Sequence, residues 1–239
     1  MAILFIIVFC SIVQAGEPEP HWPFQAPAPT GQFGAALCGE WDHRWMGSNE
    51  VTLQRAVFRL GVTTLKSASF WLESGTAKMN IGETDKVVNG DWGFAFGGGG
   101  VWTWMNFPYY DLLPFAYLRL TYFQTFLVDR SNSGGVITEA HSRYVWQEGG
   151  GVVGVERLVA GYPVFGGLAL RTMFQDEYRS VRSSGQTTRR QYVYKTGLKP
   201  GAAVGVRIPL PQRWTIWVLG EAYIHAQKIN LSIGQWGTP

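Results

Sequence analysis

Residues 191–227 read QYVYKTGLKPGAAVGVRIPLPQRWTIWVLGEAYIHAQ, and polar and apolar side chains alternate along them. The alternation has a period of two in 191–210 and again in 213–227, and the short proline-containing stretch 209–212 joins the two segments. Because successive side chains of a β-strand point to opposite faces, the pattern predicts an antiparallel hairpin with one apolar and one polar face. The apolar face is predicted to hold Val204, Val206, Ile216 and Val218, and the polar face Gly205, Arg207, Thr215 and Glu221.

The same alternation recurs through most of the chain. Segment 143–159 also alternates, but Gly149, Gly150 and Gly151 leave its parity open, since a β-bulge there would exchange its two faces. Most segments are about 10 to 15 residues long, and tilted strands of about 10 residues cross a membrane. We therefore predict an all-β antiparallel barrel of about ten strands, within a range of about 8 to 12. The further segments are 32–45, 51–64, 68–79, 91–105, 115–128 and 164–178.

The composition agrees with a membrane barrel. Charged residues make up only 15% of the chain, yet the mean hydropathy is −0.02, so polar and apolar residues are finely mixed. A barrel whose lipid-facing and lumen-facing residues alternate has this property. Beyond the N-terminal region no run of 18 apolar residues occurs, which excludes a helical membrane protein. The net charge of +3 is spread along the chain apart from arginines within 179–190, which argues against nucleic-acid binding.

The N-terminal region divides into two segments. Residues 1–15 are predicted to be a secretory signal peptide, because 3–13 is apolar apart from Ser11 and Val13-Gln14-Ala15 offers small residues for cleavage. No basic residue precedes the apolar run, and a short buried strand or anchor is the alternative. Residues 16–31 are proline-rich and predict an extended linker, which leaves 32–239 for the barrel. Cleavage would leave Cys38 as the single cysteine and so exclude an intramolecular disulfide.

Three features favour lipid outside the barrel over the arrangement of a soluble, lipocalin-like barrel, which remains the alternative. The polar set mixes charged residues with Gly and Ala, which suits a narrow interior filled by hydrogen-bonded side chains. Short connections predicted at 65–66, 160–162 and 210–211 also alternate with more polar loops predicted at 80–90, 129–142 and 179–190. Aromatic residues near the strand ends predict two interfacial belts, formed by Trp41, Trp92, Trp104, Tyr178, Tyr192, Tyr194 and Trp214.

Over residues 32–236 the chain resembles the general class of bacterial outer-membrane β-barrel proteins. The resemblance rests on the alternation, the aromatic belts and the unequal connections. It implies an outer-membrane location after export, surroundings of membrane lipid and lipopolysaccharide, and insertion by the outer-membrane assembly machinery. Proteins of this class usually end in an aromatic residue and have an even strand number. This chain ends GQWGTP, so either 228–236 supplies a tenth strand, which we favour, or the true C-terminus lies beyond 239.

The polar face carries both signs of charge. An unpaired charge inside a narrow barrel is costly, so we predict that these residues pair across the lumen, with a pore wall as the alternative. The predicted lumen residues are Glu40, Asp42, Arg44, Arg55, Arg59, Glu73, Arg119, Arg171, Glu177, Lys195, Lys199, Arg207 and Glu221.

No signature of catalysis or cofactor binding stands out. His43, His141 and His225 lie near predicted external strand ends, but the alternation points His43 to lipid and His225 to the lumen, so they do not converge. Metal-ligand spacing and phosphate-binding loops are not recognisable, so we predict neither a metal nor a cofactor. The sequence predicts a structural or surface-interaction barrel with no identifiable external ligand. The alternatives are a narrow, porin-like transport barrel, a soluble ligand-binding barrel and, least favoured, a hydrolase with its site at the barrel rim.

Overall fold

The computed structural model describes residues 33–46, 49–65, 68–83, 86–104, 112–133, 136–184 and 186–237. The predicted signal peptide and linker lie outside the described residues. Among the described residues, no helix is long and apolar enough to cross a membrane. A 3₁₀ turn at Pro211–Arg213 interrupts a fold of eleven strands: β1 Phe33–Met46, β2 Asn49–Leu65, β3 Ala68–Glu83, β4 Lys86–Asp91, β5 Gly93–Thr103, β6 Leu112–Ser133, β7 Val136–Val159, β8 Tyr162–Ser183, β9 Gln186–Pro209, β10 Trp214–Tyr223 and β11 Ala226–Gly237.

The strands close into a ring of ten. Strands β4 and β5 are separated only by Trp92, and both pair with β3 on one side and β6 on the other, so they occupy one position in the ring. Strand β1 pairs antiparallel with both β2 and β11, which closes the barrel. The prediction of about ten antiparallel strands is confirmed, and the segment predicted at 228–236 supplies the tenth as part of β11.

The barrel has two unlike ends. The hairpins β1–β2, β3–β4, β6–β7, β8–β9 and β10–β11 lie at one end, called here the hairpin end. Residues 33 and 237 lie at the opposite end, called the terminal end, together with the β2–β3, β5–β6, β7–β8 and β9–β10 connections. The β7–β8 turn there consists of Ala160 and Gly161 alone, and Gly161 has a φ of 83°, a conformation that glycine adopts without strain.

The segments predicted as polar loops at 80–90, 129–142 and 179–190 are instead mostly paired strand. Strands β6 and β7 pair continuously from Leu112 and Arg157 to Ser133 and Val136. Polar side chains on both faces suggested loops, but the backbone ladder continues beyond the apolar part of the strands. The strands of the hairpins β6–β7 and β8–β9 reach 22 to 24 residues as a result.

The strand predicted at 213–227 is also corrected, because a tight turn at Ile224 and His225 divides it into β10 and β11. His225 has a φ of 62° and lies exposed in that turn rather than in the lumen. The residues at the turn continue the polar–apolar alternation without a Gly or Pro, so the sequence contains no ordinary turn signal there.

The inward and outward faces follow the predicted parity along most strands. The pairing of β7 runs without a register shift past Gly149, Gly150 and Gly151, so no bulge exchanges its faces. The predicted outward Val204 is 62% exposed, whereas Gly205, Arg207, Thr215 and Glu221 are buried in the interior.

Strand β9 is the exception, because it contains an extra residue. Arg171 of β8 pairs with Lys199, but Met173 pairs with Thr196, so the two strands shift register between these pairs. Beyond the shift Tyr194 pairs with Gln175 and Tyr192 pairs with Glu177. Gln175 and Glu177 are buried residues on the inward face of β8. The prediction that Tyr192 and Tyr194 belong to the outer aromatic belt is therefore wrong, since the bulge moves them to the inner face.

The remaining belt residues lie on the outer face. Trp41, Trp92 and Trp104 are exposed, Trp214 shares the face of Ile216, and Tyr178 receives the guanidinium of Arg143 at 4.7 Å from its ring centroid. Between the strand ends the outer face is apolar, with Leu72 and Leu168 each 74% exposed.

Candidate functional site

The centre of the barrel is filled by buried charged side chains, which we call the charged layer. Its members come from seven strands and all are buried, so their charges must be compensated within the protein. The charged layer consists of Glu40, Asp42, Arg44, Arg55, Arg59, Glu73, Arg119, Glu148, Arg171 and Lys228.

One half of the charged layer is organised around Glu73 and Glu40. Glu73 accepts hydrogen bonds from Nε of Arg59 and Nε of Arg119, both at 2.8 Å. Glu40 lies 2.6 Å from Nη2 of Arg55, pairs with Arg119, and accepts a hydrogen bond from the amide of Asn230 at 2.7 Å. Each carboxylate is therefore shared between arginines that come from different strands.

The other half is organised around Glu148 and Asp42. Glu148 lies 2.8 Å from Nη2 of Arg171 and 3.3 Å from Nζ of Lys228. Asp42 pairs with both Arg44 and Arg171. Arg55, 3.5 Å from Glu148, connects this half to Glu40, so that the ion pairs form one network across the lumen.

Aromatic side chains cover the charged layer on both sides. Towards the hairpin end, Phe123 and Trp146 stack at 5.5 Å between ring centroids. The guanidinium of Arg55 lies 5.0 Å from the Phe123 centroid, and that of Arg44 lies 5.5 Å from the Trp146 centroid. Towards the terminal end, Arg59 lies over Trp71 at 5.6 Å. Cation–π contacts of this kind strengthen when they are removed from water.

The charged layer leaves almost no free space. The cavity within it measures about 10 Å³, roughly the space of one water molecule. Its lining includes Arg119, Glu148, Glu221 and Lys228. Side chains therefore close the cross-section of the barrel at this level.

A much larger cavity of about 650 Å³, called here the vestibule, lies towards the hairpin end. Strands β2, β3, β4 and β6 contribute apolar residues to its lining, whereas β7, β8 and β9 contribute mainly polar ones. The apolar lining residues are Val51, Ile81, Val88 and Leu127, and the polar ones include Ser142, Tyr144, Gln175, Glu177, Arg179 and Lys199.

The short β10–β11 hairpin leaves one side of the vestibule uncovered. Strand β9 pairs with β10 only over 201–209, whereas 186–199 pair with β8 alone in the described part of the chain. The backbone N–H of Trp45 donates to the carbonyl of His225 at 3.0 Å, which ties the β10–β11 turn to β1 below this gap.

The structure brings most of the predicted lumen residues together, but not all. Eight lie in the charged layer: Glu40, Asp42, Arg44, Arg55, Arg59, Glu73, Arg119 and Arg171. Arg207 pairs separately with Glu156 at 3.0 Å, and Glu221 accepts a hydrogen bond from Tyr223 at 2.5 Å. Glu177 and Lys199 line the vestibule instead.

Lys195 does not belong to the lumen network. The register shift of β9 pairs it with the outward Phe174, and its side chain is exposed beside the vestibule. This corrects its assignment, for the same reason as Tyr192 and Tyr194.

Sequence reasoning missed Glu148 and Lys228. Glu148 directly precedes the glycines that left the parity of segment 143–159 open. Lys228 lies in segment 228–236, which was predicted as a strand only because the class has an even strand number. The alternation itself was the available signal for both, because each continues the inward set of its strand.

The three rim histidines lie apart from the vestibule. His43 stacks on Trp41 at 5.5 Å and lies 3.3 Å from Glu50, while His141 is exposed and lies 3.3 Å from Glu139. Across the described ranges, no group of three or more His, Cys, Asp or Glu residues is placed to hold a metal ion.

Comparison with solved structures finds similar proteins at low sequence identity. The translocator domain of the autotransporter NalP from Neisseria meningitidis matches with a TM-score of 0.56 at 10% identity, covering 89% of this chain and 90% of that one. The outer-membrane protease OmpT from Escherichia coli gives 0.47 at 8% identity, covering 88% and 96%. No protein-family model and no curated protein sequence matches the chain. The likeness to the translocator domain shows the fold, that of a transmembrane β-barrel.

Proposed function

We propose that the protein is a bacterial outer-membrane β-barrel with a closed lumen, which acts as a structural or surface-interaction protein through its hairpin end. The observation that carries the proposal is the charged layer. Its ion pairs connect strands around the ring and leave space for about one water molecule. A barrel of this width is filled by its own side chains, so it provides no continuous path for solutes.

The outer face supports insertion in a membrane. Large apolar side chains are exposed all around the ring, whereas soluble proteins rarely expose contiguous apolar patches above a few hundred Å². A soluble ligand-binding barrel would leave this surface in water. Membrane lipid and lipopolysaccharide are the surroundings that this surface fits, with insertion by the outer-membrane assembly machinery and export by the predicted signal peptide.

The hairpin end supports contact with other molecules. The hairpins β6–β7 and β8–β9 continue as exposed polar ladders beyond the apolar part of their strands. The tip of β8–β9 carries Arg182, Arg189 and Arg190, all exposed. Rigid strands of this length present a defined surface at less entropic cost than flexible loops.

Planar-bilayer recording tests the closed lumen. The purified protein, verified as folded by heat-modifiable gel migration, is expected to give no steady single-channel conductance. A general porin reconstituted in the same way serves as the positive control. Steady, reproducible conductance steps would show that the charged layer opens, and would favour the narrow-pore alternative instead.

A further inference from the structure

From the lining of the vestibule we infer that it binds a small amphipathic anion from the aqueous phase, that is, an apolar body carrying one acidic group. This inference goes beyond the proposed function, which assigns no ligand. The cavity of about 650 Å³ lies within the range of about 300–1,000 Å³ that is typical of small-molecule sites.

One wall of the vestibule provides the apolar contacts. Val51 is 3% exposed, and Val88 and Leu127 are each 6% exposed, so these side chains are held in place by their neighbours. Beneath them, Leu53 of β2 and Met79 of β3 belong to the inward face and are fully buried. This wall is therefore preformed, and an apolar ligand would need little rearrangement to pack against it.

The opposite wall provides positive charge. Arg179 and Lys199 share the inward face of their strands, since they pair with the inward-facing Ser142 and Arg171, and Lys195 borders the same cavity. None of these three cations forms an ion pair with an acidic side chain in the part of the chain that the structure describes.

The carboxylates of the vestibule are already engaged. Glu177 accepts hydrogen bonds from the hydroxyls of Ser142 at 3.3 Å and Tyr144 at 3.2 Å. Asp129 likewise interacts with neighbouring groups of the protein. Arg179 and Lys199 face the cavity and Lys195 borders it, so that its lining holds three cations against two carboxylates and carries a surplus positive charge.

A buried polar group adds a third feature. Gln175 lines the vestibule and is 2% exposed, yet its oxygen Oε1 has no hydrogen-bond partner among the described residues. Buried polar atoms are normally paired, so this oxygen is an acceptor that a donor from water or from a bound ligand would satisfy.

Binding of 2-naphthoate tests the inference. Equilibrium dialysis of the full chain in amphipol, against an amphipol-only blank, is expected to show saturable binding of one naphthoate per protein. The neutral 2-naphthylmethanol and the cationic 2-naphthylmethylammonium offer the same aromatic body without the acidic group. They should bind at least about tenfold more weakly, because they lack the complementary charge.

Paired variants locate the site. The double substitution Arg179→Gln with Lys199→Gln should weaken naphthoate binding about tenfold, as expected for the loss of two favourable charges. The control, Arg182→Gln with Arg189→Gln, removes the same charge from the outward face of the same hairpin and should change affinity less than about twofold. Heat-modifiable migration verifies that both variants are folded.

Three results would overturn the inference. The first is that the unsubstituted protein shows no saturable binding up to millimolar naphthoate. The second is that the three probes bind with equal affinity, and the third is that the two double variants change naphthoate affinity equally. Loss of naphthoate binding when amphipol is replaced by phosphatidylglycerol nanodiscs would overturn the aqueous origin of the ligand. All of these results are independent of the conductance experiment, so the closed lumen and the ligand site can fail separately.

Discussion

At the scale of single residues, the interior depends on carboxylates shared by several arginines. Glu73 is the clearest case, because Arg59 and Arg119 both donate to it at 2.8 Å and all three side chains are buried. Removing one partner from a buried charge network leaves the other charges uncompensated, which costs far more than the net value of the original pair.

Substituting Glu73→Gln should therefore lower the free energy of unfolding by about 3–5 kcal/mol, because two guanidinium groups lose their shared carboxylate while the side-chain volume is kept. Urea unfolding in lipid vesicles, followed by tryptophan fluorescence, measures the change. The matched control is Glu50→Gln on β2, whose partly exposed carboxylate lies 3.3 Å from His43 and should contribute less than about 1 kcal/mol. Equal losses in both variants would contradict the importance of the charged layer.

The exposed hairpin β6–β7 allows a prediction about pH. Hydrogen bonds from Arg130, at 2.8 and 2.9 Å, hold the pKa of the Glu139 carboxyl below its ordinary value, and the charge of His141 lowers this pKa further. Because the pKa is lower in the folded state, the contact stabilises the hairpin above the ordinary carboxyl pKa. The contribution is lost as the pH falls through the lowered folded-state value.

An NMR titration of isotopically labelled Glu139 should give a midpoint below that of glutamate in an unfolded peptide. Arg130→Gln should raise this midpoint, whereas Arg189→Gln, on the neighbouring hairpin, should leave it unchanged. A midpoint that does not respond to Arg130→Gln would assign the shift to another group.

At the scale of single elements, alternation predicts the face of a residue wherever the register is continuous. Ile216 and Val218 were placed outward and Thr215 inward from sequence, as the structure shows. The prediction fails in β9 because one extra residue near Gly197 and Leu198 exchanges the faces beyond it. Gly197 and Pro200 were the available signals, since both residue types are typical of irregular strand positions.

Close approach of β8 and β9 gives a prediction at this scale. A Cβ at Gly205 would overlap the ring of Phe165 and the carbonyl oxygen of Val218, whereas a Cβ at Gly220 would lie 3.8 Å from the carbonyl oxygen of Val204, an ordinary van der Waals distance. Gly205→Ala should lower the free energy of unfolding by about 1–3 kcal/mol through overpacking, and Gly220→Ala by much less. Urea unfolding compares the two. A larger loss for Gly220→Ala would contradict the inward position of Gly205.

At the scale of the whole molecule, the closed ring and its strand number could be predicted, but the layered interior could not. Glu73 and Arg119 are 46 residues apart, and Glu40 and Asn230 are 190 apart, so alternation alone cannot predict which inward residues meet. The sequence predicted a polar interior, yet Phe115, Phe123 and Trp146 are fully buried within it. Tight side-chain packing in a narrow barrel uses these aromatic residues to cover the charged layer.

The central claim is that lipid surrounds the apolar outer face and the protein's own side chains fill the inside. Spin labels attached to single cysteines along β10, in a chain lacking Cys10 and Cys38, test this by collision with oxygen and with a water-soluble nickel complex in reconstituted vesicles. Labels at Ile216→Cys and Val218→Cys should collide with oxygen and not with nickel, because oxygen concentrates in lipid. Labels at Trp217→Cys and Leu219→Cys should collide with neither, because those positions are buried. Nickel access at the sites of Ile216 and Val218 would contradict the account, because the outer face would then lie in water.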